Sequence, residues 1–116
     1  MDRGEIWLIN LDPTLGAEIR KTRPVVIVSS NAIGVLPLRV VVPLTDWKNH
    51  YQPAEWMVKI IPNKGNGLSK DSAADTFQIR SVSTTRFVQK IGEISLEEMD
   101  KIVNAIALVI EYTPSN

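Results

Sequence analysis

The chain of 116 residues has no cysteine and a single histidine, His50. The first absence excludes disulfides, thiolate metal sites and a cysteine nucleophile together. The second excludes a His-rich metal cluster within one chain. A Ser-His-Asp triad would need His50, which lies in the polar stretch Asp46-Trp47-Lys48-Asn49-His50-Tyr51 and reads as an exposed loop residue. No apolar run approaches the roughly 20 residues that span a bilayer. The start, Met1-Asp2-Arg3-Gly4-Glu5, does not read as a signal peptide, so the expectation is a cytoplasmic protein with no membrane contact. There is no Walker P-loop, no G-x-G-x-x-G, no H-E-x-x-H and no G-x-S-x-G. No spacing singles out a glycosidase-type pair among the 13 acids. Neither a metal nor a cofactor is expected.

Net charge is also lacking, with 13 basic and 13 acidic side chains, but the signs are unevenly spread. Residues 1–90 carry 12 Lys and Arg against 8 acids, whereas residues 91–116 carry one Lys against five acids. A sequence pI of ≈ 6.6 argues against a surface that coats nucleic acid non-specifically. Any site for a polyanion must therefore be a small cleft.

The length suits a single domain, 1–116, able to bury a core without covalent staples. Glu5–Leu11 reads as a strand, and Asp12-Pro13 with Gly16 marks a loop. Arg23-Pro24 opens a second strand, Val25–Ser29, whose β-branched run predicts burial on both faces. Leu38–Leu44 gives a third strand ending at Thr45, and the alternation over 55–61 a fourth. Asn63-Lys64-Gly65-Asn66-Gly67 is a turn. Ser72–Ser81 and Phe87–Ile91 are weaker strand signals. The period then changes. Ser95-Leu96-Glu97-Glu98 matches a capping box, and Leu96, Met99, Ile102, Val103, Ile106, Val109 and Ile110 form one stripe. A helix over 96–111, ended by Tyr112-Thr113-Pro114, is expected to pack that stripe on the strands. The result is mainly β: a bent antiparallel sheet or partly open barrel with a C-terminal helix.

The chemistry-bearing segment is Glu18-Ile19-Arg20-Lys21-Thr22-Arg23-Pro24. Three cations fall within four residues, at the mouth of a strand. Pro24 biases Arg23 toward extended backbone, and a guanidinium fork binds phosphate bidentately. A solvated loop whose Arg pairs with Glu18 or with an acid of the tail accounts for the same composition. Trp47 and Tyr51 follow Thr45 and are candidates to stack bases or to pack on the rim. Trp7 and Trp56 sit in strand patterns and read as core or dimer-interface residues. Arg80 and Arg86 are candidate phosphate contacts; Arg39 and Lys59 read as solvated.

Arg3-Gly4-Glu5-Ile6-Trp7-Leu8, Leu11-Asp12-Pro13-Thr14, Gly16, Glu18 and Thr22-Arg23-Pro24-Val25-Val26 resemble the MazF/PemK (Kid)-type toxins of bacterial toxin–antitoxin pairs. Val41-Val42-Pro43-Leu44-Thr45 and Gln78-Ile79-Arg80-Ser81 match the family's third strand and its Q-x-R-[ST] stretch. The resemblance implies an SH3-like, partly open barrel with a helix, forming a homodimer. It implies an endoribonuclease that cleaves single-stranded mRNA at short sequences without metal, and a partner antitoxin whose acidic, flexible C-terminal tail covers the RNA groove. By position, the catalytic Arg maps to Arg23 and the catalytic Thr to Thr45, with Glu18, Gln78 and Arg80 at substrate-contacting positions. Arg20, Lys21, Trp47, Ser81 and Arg86 complete the expected RNA-binding set. Ala17 stands where plasmid-type relatives carry a His and Phe77 where they carry an Asp, so a scheme built on those two cannot apply. The gyrase-poisoning toxins share the barrel and act by protein contact, so a non-catalytic toxin remains the alternative.

Overall fold

A computed structural model describes residues 1–113; Pro114, expected to end the helix, lies outside them. Seven strands form one antiparallel sheet: β1 (Glu5–Asn10), β2 (Thr22–Ile27), β3 (Leu38–Asp46), β4 (Met57–Ile60), β5 (Ser72–Asp75), β6 (Arg80–Ser83) and β7 (Phe87–Glu93). One helix, α1 (Leu96–Val109), follows. The strand order is β4-β5-β3-β2-β1-β7, with β6 beside β3. Neither end strand, β4 or β7, pairs with the other, so the barrel stays open.

β3 organises the sheet. Its middle pairs with β2, its first half with β6 and its last residues with β5. The single strand expected over Ser72–Ser81 is two strands, split by a 3₁₀ turn at Thr76–Gln78. The pairing with β3 resumes after the turn three residues out of step, Leu44 with Ala74 but Val41 with Arg80. The turn takes up those residues. Pro43, which has no N–H to offer a partner, lies in the gap where the ladder is broken.

Two apolar clusters fill the two sides of the sheet. Ile6, Val26, Val42, Leu44, Val58, Ile60 and Ala74 pack under Met99, Ile102 and Ala105 of α1. On the opposite side Ile9, Leu11, Val25, Ile27 and Val41 pack against Val82 of β6, with Trp7, Ile19 and Phe87 at the margin. Val25, Val26 and Ile27 are all at 0% exposure, as a strand buried on both faces requires. β2 starts earlier than its β-branched run, at Thr22, because β1 pairs with it back to Asn10.

The capping box is present: the Ser95 hydroxyl accepts from the Glu98 N–H and the Glu98 carboxylate accepts from the Ser95 N–H. The expected stripe is not wholly buried. Leu96 and Ile110 are 84% and 65% exposed, and Val103 is also exposed. These three recur every seven residues and so stay nearly aligned, drifting about 20° per repeat, along the edge of the face that Met99, Ile102 and Ala105 bury. Arg39 is not solvated as expected: its guanidinium donates to the carbonyls of Met1, Gly34, Leu36 and Leu38.

Candidate functional site

The β2–β3 ladder brings the two principal residues toward each other. Val25 pairs with Pro43 at the end of the β2–β3 ladder, and Arg23 and Thr45 each lie two residues beyond that last pair, on β2 and β3. Opposed residues of antiparallel strands share a face, so Arg23, Val25, Pro43 and Thr45 lie along one side of the sheet. Arg23 and Thr45 are both half-buried. Arg23 sits between β1 and this edge, paired with Ile9, and its Nε donates to the Arg20 carbonyl at 3.3 Å. Among the described residues, no carboxylate forms an ion pair with Arg20, Lys21 or Arg23. The pairing with Glu18 or an acid of the tail is therefore not adopted.

Beside them lies an open cleft of ≈ 500 Å³ lined by Leu11, Ala17, Glu18, Ile19, Pro43 and the Phe77–Arg80 segment. The 11–21 loop forms one wall, closed at its base by Leu11 N–H to Lys21 carbonyl at 3.0 Å. Lys21 is held at φ 69, a conformation uncommon for a side chain of its kind, and its N–H donates to Asp12 Oδ1 at 3.1 Å. The other wall is the 3₁₀ turn, capped by Asp75, whose carboxylate accepts from the Phe77 N–H at 3.2 Å.

Several expected RNA contacts also hold this cleft together. Gln78 accepts from Ile19 N–H at 2.6 Å and donates to the Ala17 carbonyl at 3.3 Å, joining the walls. It also donates to Asp75 at 3.1 Å. Arg80 Nη1 donates to the Leu11 carbonyl at 3.3 Å, and Arg86 Nη1 to the carbonyls of Asn10 and Asp12. Glu18 accepts through Oε1 from the Leu15 N–H, closing its own turn. Ser81 is exposed on β6.

Burial raises the pKa of Asp75, at 6% exposure, above the usual carboxylate value, and the donors Gln78 and Phe77 oppose it only in part. Among the described residues, no three His, Cys, Asp or Glu side chains gather where they could hold a metal.

The aromatic residues divide differently from the sequence reading. Trp47 and Tyr51 are half-buried and meet edge to face at 5.8 Å, with the Lys59 ammonium 5.2 Å from the Trp47 ring centre. His50 is exposed on the adjoining 3₁₀ turn, as expected. Trp7 is half-buried against Phe87 at 5.6 Å. Trp56 is not a core residue: it precedes β4, is 41% exposed, and meets Phe77 at 6.3 Å. Phe77, on the cleft rim, is 66% exposed. The residues missed from sequence are thus Asp75, Trp56 and Phe77. The available signal was Asp75-Thr76-Phe77-Gln78, in which an Asp able to cap a turn precedes an aromatic flanked by polar residues.

The model of the family described as PemK-like, MazF-like toxin of type II toxin–antitoxin system matches residues 2–110. Endoribonuclease PemK of Escherichia coli is 49% identical over 112 residues, covering 95% of this chain and 82% of its own. Endoribonuclease MazF9 of Mycobacterium tuberculosis is 32% identical over 117 residues, covering 96% and 97%. Among solved structures, an endoribonuclease in complex with its cognate antitoxin from mycobacterial species superposes with a TM-score of 0.77, covering 99% of both chains at 21% identity.

Proposed function

The chain belongs to the PemK-like, MazF-like toxins of type II toxin–antitoxin systems, and on that premise we propose that it is a single-domain toxin endoribonuclease cleaving single-stranded mRNA at short specific sequences without metal. The relatives' name of endoribonuclease supports the activity. The β2–β3 register that carries Arg23 toward Thr45 is the observation on which the chemistry rests.

RNA holds its own nucleophile beside the scissile phosphate. The 2′-oxygen attacks phosphorus, the P–O5′ bond breaks, and the products are a 2′,3′-cyclic phosphate and a 5′-hydroxyl. The 2′-OH proton passes to Glu18 or to water, and the departing 5′-oxygen takes one from water. The enzyme need only orient the attack and stabilise charge at the phosphorane, and one preorganised donor is worth about 3–4 kcal/mol there. Arg23 supplies that charge and the Thr45 hydroxyl donates to a non-bridging oxygen. A guanidinium stays charged near neutrality and is a poor proton donor there, so Arg23 acts electrostatically. Its Nε bond to Arg20 aims the fork and leaves both Nη groups available.

Arg20, Lys21, Arg80, Ser81 and Arg86 line the path of the strand, with Gln78 at the cleft and Trp47 at the periphery. Duplex RNA hides its base edges in a deep, narrow groove, which favours an unpaired substrate. The family assignment and the antitoxin complex of the mycobacterial structure support a cognate antitoxin as partner, and we assign its acidic tail to the same cationic wall. Exposed Val103 and Leu108 of α1 and Ile110 just beyond its end support a homodimer. Incubation of the protein with mixed-sequence single-stranded RNA in EDTA tests the activity. Fragments ending in cyclic phosphate and 5′-hydroxyl are expected; intact RNA would return the chain to the reading of a toxin that acts on a protein target.

A further inference from the structure

The cleft lining holds one cation, Arg80, with Arg20, Lys21 and Arg23 on the segment that follows its loop wall, and on the rim of the other wall an exposed aromatic pair that neither the core nor the proposed chemistry uses. Phe77 and Trp56 are 66% and 41% exposed, an unfavourable state for large apolar rings. They are not loose. Thr76, fully buried between them, donates to the Trp56 carbonyl through its N–H at 3.2 Å and its hydroxyl at 2.7 Å. The Phe77 N–H is fixed on Asp75 at 3.2 Å. The two rings meet at 68°, held by one short clamp, so contact with a ligand costs little further ordering.

From this arrangement we infer that Phe77 and Trp56 form a stacking seat for one unpaired nucleobase of the RNA, next to the cleavage position. The inference rests on the endoribonuclease reading. Complementarity selects this occupant: Arg80 in the cleft lining, with Arg20, Lys21 and Arg23 on the adjoining segment and no ion-pair partner for any of the four among the described residues, attracts the backbone, and the rings attract the base. An apolar protein segment would satisfy the rings and leave the cations unmatched. The contrast with Trp47 sharpens the assignment, because Tyr51 and the Lys59 ammonium already occupy that ring. Stacking tolerates any base and favours the stronger stackers, so the seat biases one position of the cleaved sequence without reading it by hydrogen bonds.

The test pairs binding with cleavage. Binding uses a mixed-sequence 2′-O-methyl decaribonucleotide, whose blocked 2′-oxygen cannot attack; cleavage uses unmodified RNA with its new 5′ ends sequenced. Phe77→Ala and Trp56→Ala should each weaken binding by about 5- to 150-fold, the range for losing one stacked base, and flatten the preference at one position. Phe77→Trp should retain both, and the melting temperature of Phe77→Ala should match wild type. Unchanged affinity and end profile in Phe77→Ala, with wild type still cleaving, would overturn the seat and leave the nuclease reading intact. A wild type that neither binds nor cleaves RNA would overturn both.

Discussion

Replacing Gln78 with Leu tests how the loop wall is held. The amide joins Ile19, Ala17 and Asp75 by three hydrogen bonds. The two neutral bonds contribute about 0.5–1.5 kcal/mol each and the one to the carboxylate about 1.5–3 kcal/mol. Leu keeps most of the side-chain volume, so packing changes little. Water replaces part of what is lost at the exposed Ala17, which leaves a net weakening of the loop of about 2–4 kcal/mol. Hydrogen exchange at the Ile19 amide should accelerate by about 30- to 700-fold, at tenfold per 1.4 kcal/mol. Val26 and Ile102, deep in the clusters under α1, should exchange as before. The same change removes a donor from Asp75 and should move its already raised pKa further upward. Unaltered exchange at Ile19 would refute the clasp.

Glu5 offers a test by acid. Burial raises its pKa, but bonds from the Trp7 indole, the Asp2 amide, Lys90 and the N-terminal ammonium outweigh this and bring it to about 2 from 4.5. The resulting stability, up to roughly 3 kcal/mol, is complete above pH 4.5 and lost as pH falls toward 2. In pH-resolved denaturation the gap between wild type and Glu5→Gln should close over that window; a constant gap would contradict it. Gly67→Ala should destabilise by about 2–5 kcal/mol, because Gly67 has φ +68 and a Cβ there meets the Ile91 carbonyl oxygen at 2.0 Å; an unchanged melting curve would contradict this. Glu18→Gln should slow cleavage, and wild-type rates across about pH 5–8 would remove Glu18 as proton acceptor.

Local chemistry was legible in the sequence where neighbours decide it. Ser95 and Glu98 announced the helix start, and Val25, Val26 and Ile27 announced a doubly buried strand. The resemblance placed Arg23 and Thr45 on strands that the register then brought toward one face. What was not legible depends on partners distant in sequence. Gln78 bonds Ile19 across 59 positions and Arg86 bonds Asn10 across 76, so their roles in holding the cleft follow only from the folded sheet. Trp56 looked like a strand interior because Glu55–Ile61 alternates, yet β4 begins at Met57 and leaves the indole on the rim. Ala105, outside the apolar stripe, is buried while Leu96 and Ile110, within it, are exposed; position around the helix, not hydrophobicity, separates them.

The central proposal is that the guanidinium of Arg23 on β2 and the hydroxyl of Thr45 on β3 stabilise the phosphorane. Single-turnover cleavage of one defined RNA by wild type, Arg23→Ala and Thr45→Ala tests it most directly. The account predicts a loss of about 10²-fold or more for Arg23→Ala, a clear loss for Thr45→Ala, and unchanged melting for both. A folded Arg23→Ala protein that cleaves at the wild-type rate would contradict it.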